Sequence, residues 1–410
     1  MKLISLLLAL APFAGAQIQI DPGIATEIAK IKAIDNHAHP VLPAAGDTEY
    51  DALPVEHMDP YTEPVRMRAG SPSATEVSTH GFGAAMIRQK GEGYPNWVLD
   101  QLGIETMLAN RVALGPGLAP PRFLWVPFED ALLFPLDNRA LAANPDRKAF
   151  FEDEDRLLAR YLKECGYPKP PATLAEYLTK VVDTTLARHK RGGAVAIKFE
   201  AAYLRSLDFD DVSRADADAA YARKQPYKKL QDFLFRHIAA EAGRLGMAVH
   251  LHVAWGPGGY FHIAGTNPLL LESVFNDPRL HQTNFVLLHG GWPFTREITA
   301  LLTKPNVYAD FSAQTLTNYP SAVAQVLREW LELAPDKVLF ATDAYPYSDE
   351  LGWEQSGWVA MQTARQALGL ALTGMLNDGE ITRQRASEIA HMVMHDNAAK
   401  IYGLSDSQHQ

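Results

Sequence analysis

The sequence contains a single cysteine, Cys165, so no intrachain disulfide can form even in an oxidising compartment. It also lacks a basic surplus: 38 Lys and Arg residues stand against 48 Asp and Glu residues, a formal net charge of -10. This balance argues against nucleic acid and anionic membranes as partners, because no excess of cations is present to neutralise phosphates. Internal repeats and low-complexity tracts are absent as well. Stability has to come from a packed core, for which 410 residues that are 47% hydrophobic suffice.

Long hydrophobic runs are scarce, and the clearest one lies at the amino terminus. Lys2 precedes an apolar stretch from Leu3 to about Phe13, and Ala14-Gly15-Ala16 follows as a small-x-small cleavage signature. The run is too short to span a bilayer comfortably. We predict that residues 1–16 are a signal peptide and that the mature protein is secreted or periplasmic, with no membrane partner after cleavage. An amino-terminal buried helix is the alternative.

Strand-like apolar segments alternate with helical patterns from one end of the chain to the other. This alternation is typical of a parallel sheet covered by helices. Eight segments have strand character, which is the number that closes a (β/α)8 barrel; they are residues 31–36, 107–114, 123–128, 194–199, 247–253, 285–289, 307–311 and 337–342. The predicted fold is therefore an α/β TIM-like barrel, formed by a single domain over residues 17–410.

Helical patterns over 174–190, 215–245, 293–302 and 321–333 separate several of these strands. Two longer stretches interrupt the alternation, at about 41–106 after the first strand and about 131–171 after the third. We expect helical insertions there, at the barrel mouth, which form a cap or a homodimer contact and set the choice of a small-molecule substrate.

Residues that can bind a metal follow the apolar segments. His37 and His39 end the first one; because they are two residues apart on an extended strand, both imidazoles can reach one cation. His252 and His289 end the fifth and sixth segments, and Asp343 ends the last. Barrel sites open at the carboxyl ends of the strands, so these side chains should converge. His250, one layer below His252, is expected to lie deeper in the barrel.

Each of the later residues has a second interpretation. Asp343 can hold a metal-activated water and accept its proton, or it can cap a helix. His289 can be a ligand or a transition-state donor, or can orient another ligand. Lys198, within the apolar fourth strand, can be carboxylated and bridge two cations, or can remain an ammonium that pairs with Glu200 or with a substrate carboxylate. Tyr203, just past this strand, could bind substrate or lie on the surface.

Arg205 follows Tyr203 and has the same two interpretations, since a guanidinium can clamp a substrate carboxylate. Together these residues, His37-x-His39, Lys198, His252, His289 and Asp343, resemble the signature of the amidohydrolase superfamily. The stretches 199–205, 287–294 and 333–343 are similar to the nodulin-like amidohydrolases that fungi and plants fuse to a glutamine-synthetase-like domain. The resemblance concerns the amidohydrolase part of those proteins, without the synthetase-like domain.

The resemblance implies a metal held by His37, His39 and Asp343, with Lys198, His252 and His289 holding or adjoining a second one. Zinc is the usual cofactor of the superfamily; Mn and Fe suit the same imidazole and carboxylate ligands. One and two ions remain alternatives. The leading hypothesis is a secreted hydrolase in which metal-activated water attacks an amide, peptide or lactone bond, with Asp343 and His289 as catalytic residues. The alternatives are a metal-dependent non-oxidative decarboxylase and a non-catalytic metal-binding protein.

Overall fold

The computed structural model describes residues 19–41, 65–67, 71–115, 117–224, 227–256, 258–347 and 351–404. The predicted signal peptide and much of the first predicted insertion lie outside these ranges. Among the helices that the structure describes, none is long and apolar enough to cross a membrane.

Among the described residues, eight parallel strands form the wall of the barrel: β1 Ala33–Ala38, β2 Ile104–Asn110, β3 Phe123–Val126, β4 Ala196–Phe199, β5 Ala248–His252, β6 Phe285–Leu288, β7 Val307–Asp310 and β8 Val338–Leu339. They pair in chain order within two ladders, β1 to β3 and β4 to β8. A parallel bridge between Trp125 and Ala194 joins the ladders. At the other seam the amide of Asn36 donates to the carbonyl of Phe340 over 3.0 Å. The predicted α/β barrel is confirmed.

Helices cover the outside of this wall: α1 Pro22–Lys30, α2 Pro72–Thr79, α3 Ala84–Lys90, α4 Tyr94–Leu102, α5 Arg147–Glu164, α6 Leu174–Glu176, α7 Asp183–Arg191, α8 Arg214–Arg223, α9 Tyr227–Arg244, α10 Glu272–Phe275, α11 Thr295–Leu301, α12 Gln314–Thr317, α13 Pro320–Leu333, α14 Trp353–Asn377, α15 Arg383–His391 and α16 Asn397–Tyr402. A π-helical turn, Tyr177–Val182, joins α6 to α7. Of the two predicted insertions, the second contains α5, and the described part of the first contains α2, α3 and α4.

Several boundaries differ from the predictions for local physical reasons. The second strand begins at Ile104, not Met107, because Gly103 at φ 72° ends α4 and turns the chain directly into the sheet. The predicted helix over 215–245 is two helices, and Lys224, at φ 58°, ends the first of them. The last strand is shorter than predicted because the amide of Phe340 donates to Val393 rather than to β7.

An apolar cluster fills much of the barrel interior below the site. Inward-facing residues of the strands, Ile34, Leu108, Val286 and Leu339 among them, pack into one buried cluster. Ala398 of α16 belongs to the same cluster, so the carboxyl-terminal helix covers the amino ends of the strands. A packed interior of this kind is normal for such a barrel, and it leaves the carboxyl ends of the strands as the place for a polar site.

Candidate metal centre

Four of the predicted ligands meet at the carboxyl ends of β1, β6 and β8. His37 Nε2 lies 3.2 Å from His39 Nε2 and 3.2 Å from Asp343 Oδ1. His39 Nε2 is 3.6 Å from the same carboxylate oxygen, and His289 Nδ1 is 3.8 Å from Asp343 Oδ2. One ligand atom each from His37, His289 and Asp343 lies within 4.8 Å of the others. The structure therefore brings these four side chains together.

The protonation of the imidazoles suits a metal site. Burial lowers the pKa of His37 and of His289 well below the ordinary histidine value, so each ring is neutral and carries a lone pair. The three residues His37, His39 and His289 are each at most 5% exposed. Two imidazole nitrogens and a carboxylate oxygen facing one another at little more than 3 Å are better satisfied by a shared cation than by one another. The residues present thus fit a divalent metal ion.

Backbone conformation places two of these ligands. His289 has φ 64° and Asp343 has φ 54°, both in the left-handed region that non-glycine residues rarely adopt. Such strain concentrates at functional sites. Gly290 follows at φ 56°, and a Cβ there would come within 2.2 Å of the Trp330 ring. The space beside His289 is thus occupied by protein, which requires glycine at this turn.

Asp35, a buried residue that the sequence analysis did not single out, fixes the chain beside Asp343. Asp35 Oδ1 accepts from the amides of His37 (3.2 Å) and Thr342 (3.0 Å), and Oδ2 accepts from the Thr342 hydroxyl at 2.6 Å. Asp35 therefore links β1 to the chain directly before Asp343. Burial raises the pKa of Asp35 to about 7, against the three donors. A second aspartate, Asp310, does the same for His289, whose amide donates to Asp310 Oδ1 over 2.8 Å.

The β4 side of the mouth is strongly charged. Lys198 is fully buried; its Nζ donates to Glu200 Oε1 over 2.7 Å and lies 3.3 Å from His37 Nε2. The carboxylate of Asp130 accepts from the amide of Glu200 at 2.8 Å. Glu154, on α5, is 1% exposed, and neither of its carboxylate oxygens has a hydrogen-bond partner among the described residues. Burial raises the pKa of Asp130 and of Glu154 well above the ordinary range.

His252 adjoins the four converging side chains. Its ring centroid is 4.7 Å from that of His289, and its Nε2 is bonded to the carbonyl of Ala254 at 2.9 Å. Burial lowers its pKa to about 3. His250 lies one layer deeper, where its Nε2 meets the Tyr402 hydroxyl at 2.7 Å. The metal-binding role of His252 stays a prediction; Nδ1 is the nitrogen that its contact with Ala254 leaves for it.

The two predicted substrate-binding residues differ in their surroundings. The Tyr203 ring lies 4.5 Å from that of His252, at the edge of the site. The Arg205 guanidinium is instead 2.7 Å from buried Asp232 and 4.3 Å from the ring of Phe209. These contacts fix Arg205 between helices and lend no support to a role in substrate binding, which stays a prediction. The order of the chain could not reveal this, because Asp232 lies on α9, 27 positions away.

Comparison with known proteins agrees with the geometry. The family profile described as Amidohydrolase matches residues 146–404, well over half of the chain. The chain belongs to the amidohydrolase family. This superfamily is metal-dependent, in keeping with the cluster of His37, His289 and Asp343.

Individual relatives are more distant. Protein fluG of Emericella nidulans is 27% identical over 186 residues, which cover 44% of this chain and 20% of that protein; the match thus spans about a fifth of the relative's length. A proposed metal-dependent hydrolase from Lactobacillus casei has a similar structure, with a TM-score of 0.67, 16% identity and coverage of 96% of this chain and 100% of that one. Glucuronate isomerase from Caulobacter crescentus gives 0.60, with 14% identity and 94% of each chain covered. At these identities the structures show the shared fold alone.

Proposed function

We propose that the protein is an exported metal-dependent hydrolase that uses water to cleave a C–N bond, in an amide or peptide, or a lactone. The observation that carries the proposal is the convergence of His37, His39, His289 and Asp343 within a few ångströms at the barrel mouth. Export rests on the amino-terminal leader-like sequence, residues 1–16.

When bound, a divalent ion there would lower the pKa of a water molecule and polarise a substrate carbonyl. The remaining chemistry belongs to the side chains. His37 offers a neutral lone pair at the end of β1, His39 adds a second imidazole directly after that strand, and His289 offers a lone pair directly after β6. Asp343 presents one carboxylate oxygen to His37 and the other towards His289. It is placed to take a proton from the attacking water and to pass it to the leaving nitrogen.

We propose a single ion, with zinc as the metal and Mn or Fe as alternatives on ligand chemistry. Lys198 supports this number. Its amine is held by Glu200 at 2.7 Å, in the same buried region as Asp130 and Glu154. Carboxylation would replace the Lys198 ammonium with a further anion beside these carboxylates, at a large electrostatic cost. Lys198 is therefore proposed to act as an ammonium and not as a bridge between two ions.

The same contact favours a second candidate, a metal-dependent non-oxidative decarboxylase, because such a reaction needs one ion and no bridging lysine. Substrate panels separate the candidates. Dipeptides, N-acyl amino acids and lactones report hydrolysis, and aromatic or unsaturated carboxylic acids report release of carbon dioxide. Uronates belong in the panel because the glucuronate isomerase of Caulobacter crescentus shares the fold.

The decisive experiment combines metal analysis with the variant His37→Ala. We expect one equivalent of metal per wild-type chain and anomalous scattering between His37 and Asp343. His37→Ala should lose both the metal and turnover while keeping a wild-type circular dichroism spectrum. His281→Ala, at an exposed position, is the control and should change neither. A fully active His37→Ala variant would contradict the assigned site, and two bridged ions would contradict the proposed single ion.

A further inference from the structure

A buried hydrogen-bond network runs from the floor of the barrel to the imidazole of His289. It starts at His250 and the Tyr402 hydroxyl of α16, which are 2.7 Å apart, and Tyr402 in turn is hydrogen-bonded to Asn36 Oδ1. Asn36 Nδ2 donates to Asp310 Oδ2 over 2.9 Å. Asp310 Oδ1 meets the Ser312 hydroxyl at 2.6 Å, and that hydroxyl lies 2.8 Å from His289 Nδ1.

The contacts of Asp310 determine which group donates and which accepts in each hydrogen bond of the network. Its Oδ1 accepts from two backbone amides, those of His289 at 2.8 Å and Ser312 at 3.1 Å. Backbone amides can only donate, so this oxygen is an acceptor, and the third contact to it, from the Ser312 hydroxyl, is a donated proton. With its second oxygen accepting from Asn36, the carboxylate collects four donors.

The hydroxyl of Ser312 has only one proton, and Asp310 takes it. In the contact between Ser312 Oγ and His289 Nδ1, the histidine must therefore be the donor, and its Nδ1–H donates to the hydroxyl oxygen. A neutral imidazole carries one proton, and the contact with Ser312 places it on Nδ1. Its Nε2 therefore retains the lone pair.

The other arm is consistent with the same directions. Asn36 donates its amide N–H to Asp310, so its carbonyl oxygen accepts the proton of Tyr402. The oxygen of Tyr402 then accepts from His250 Nε2–H. His250 Nδ1 is buried without a hydrogen-bond partner among the described residues, so the ring proton is assigned to Nε2, which contacts Tyr402.

We propose that Asp310 is a positioning residue for His289: through Ser312 it holds the imidazole proton on Nδ1 and leaves the Nε2 lone pair for the metal. The backbone amide of His289, bound to the same carboxylate, is fixed at the same time. The inference rests on the proposed function only in naming the ligand of Nε2 a metal. The tautomer itself belongs to the metal-free protein and is measured there.

Nitrogen-15 NMR of histidine-labelled, metal-free protein tests it at pH 8. The His289 signals are assigned by their loss in His289→Gln. We expect Nδ1 to have the shift of a protonated nitrogen and Nε2 that of an unprotonated one. Ser312→Ala should give a mixture of tautomers, and Ser312→Thr, which keeps the hydroxyl, should restore the wild-type pattern. Asp310→Ala should move the proton towards Nε2, because the freed hydroxyl can then donate to Nδ1.

Zinc affinity gives a second readout. Ser312→Ala should bind zinc roughly 10- to 100-fold more weakly than wild type, as for other groups that orient a metal-bound histidine, and Ser312→Thr should bind normally. Thr283→Val is the control, since it removes a buried hydroxyl bond to Ala239 elsewhere on the barrel. A wild-type His289 protonated on Nε2, or a tautomer unchanged in Ser312→Ala, overturns the proposal. Should Asp310→Ala fail to fold, the two Ser312 variants decide. If the protein proves not to be a hydrolase, the tautomer measurement is unaffected, because it is made on the metal-free protein without substrate.

Discussion

The two sides of the barrel mouth differ in how many hydrogen-bond donors surround their buried carboxylates. On the side of β6, β7, β8 and β1, the carboxylates of Asp35 and Asp310 are surrounded by donors, three and four respectively. On the β4 side, Asp130, Glu154 and Glu200 share a buried region with one ammonium, that of Lys198, and both oxygens of Glu154 have no partner among the described residues.

The difference has separate consequences for the orientation of side chains and for the stability of the fold. A carboxylate fully supplied with donors is held in one orientation, and it can hold its neighbours, as Asp35 does for Asp343. A group of carboxylates with too few donors instead raises the free energy of the folded state and depends on each remaining cation. We therefore expect substitutions on the first side to act mainly on catalytic activity. Substitutions on the β4 side are expected to act mainly on the free energy of unfolding.

The largest effect is expected on the donor-rich side, from Asp343→Asn. The amide cannot accept the proton of the attacking water, so kcat should fall by roughly 10²- to 10⁴-fold, the usual contribution of a general base. Unfolding by urea should change little. Asp336→Asn, at an exposed position before β8, is the control. An active Asp343→Asn variant would remove this residue from the chemistry.

On the β4 side, Lys198→Met removes the cation that pairs with Glu200 at 2.7 Å. Breaking a buried ion pair by deleting one partner costs about 3–5 kcal/mol of the free energy of unfolding. Urea denaturation of the metal-free protein measures this. Lys163→Met, an exposed position on α5, should be nearly neutral. Equal stabilities of the two variants would show that the buried carboxylates do not need Lys198.

A smaller effect is expected for Glu154→Gln, and it depends on pH. Because burial raises the pKa of Glu154 in the folded state, this residue lowers stability increasingly as pH rises above its unfolded pKa of about 4.3. The variant lacks that penalty, so its stability relative to wild type should increase from pH 4 to pH 8. Glu152→Gln, exposed on the same helix, should show no such trend. A flat difference for Glu154→Gln would mean that its carboxyl is stabilised by donors after all.

The smallest effect is expected for Tyr402→Phe, which tests how much one hydroxyl on the donor-rich side contributes to stability. Tyr402→Phe removes a hydroxyl that bonds to both His250 and Asn36. The expected cost is about 1–2 kcal/mol in the free energy of unfolding, since two buried groups lose a partner. Tyr260→Phe, at a side chain that is 66% exposed, should cost nothing measurable. Equal melting temperatures for both variants would show that the floor bond contributes little.

The convergence of the four candidate ligands was predictable because each of them follows a strand. His37, His39, His289 and Asp343 come directly after apolar segments, and parallel strands in a barrel end at one face. The predicted strands recur in the structure with shifted ends, since a boundary such as Gly103 depends on local turn conformation. Helix α14 is not among the predicted helices, because 17 of its 25 residues are buried and a helix apolar on most sides has weak periodicity.

The residues around the ligands were harder to find. Asp310 and Asp35 stand within or beside strands, where their sequence position resembles that of the ligands, but their roles depend on donors from other strands. Thr342 reaches Asp35 from 307 positions away, and Asn36 reaches Asp310 from 274. The placement of Arg205 depended likewise on Asp232 of a later helix. Such pairings arise from the closed barrel, and no pattern along the chain encodes them.

Beneath the site, the described interior of the barrel is filled by packed side chains, those of the apolar cluster and of the His250, Tyr402 and Asn36 chain, and α16 covers its lower end. A cation and a substrate must therefore enter and leave through the same opening at the top, past Tyr203 and the loops that follow the strands. Exchange of the metal then depends on how often those loops move aside, so chelators should strip it slowly from the free enzyme and more slowly still when a bound inhibitor fills that single entrance.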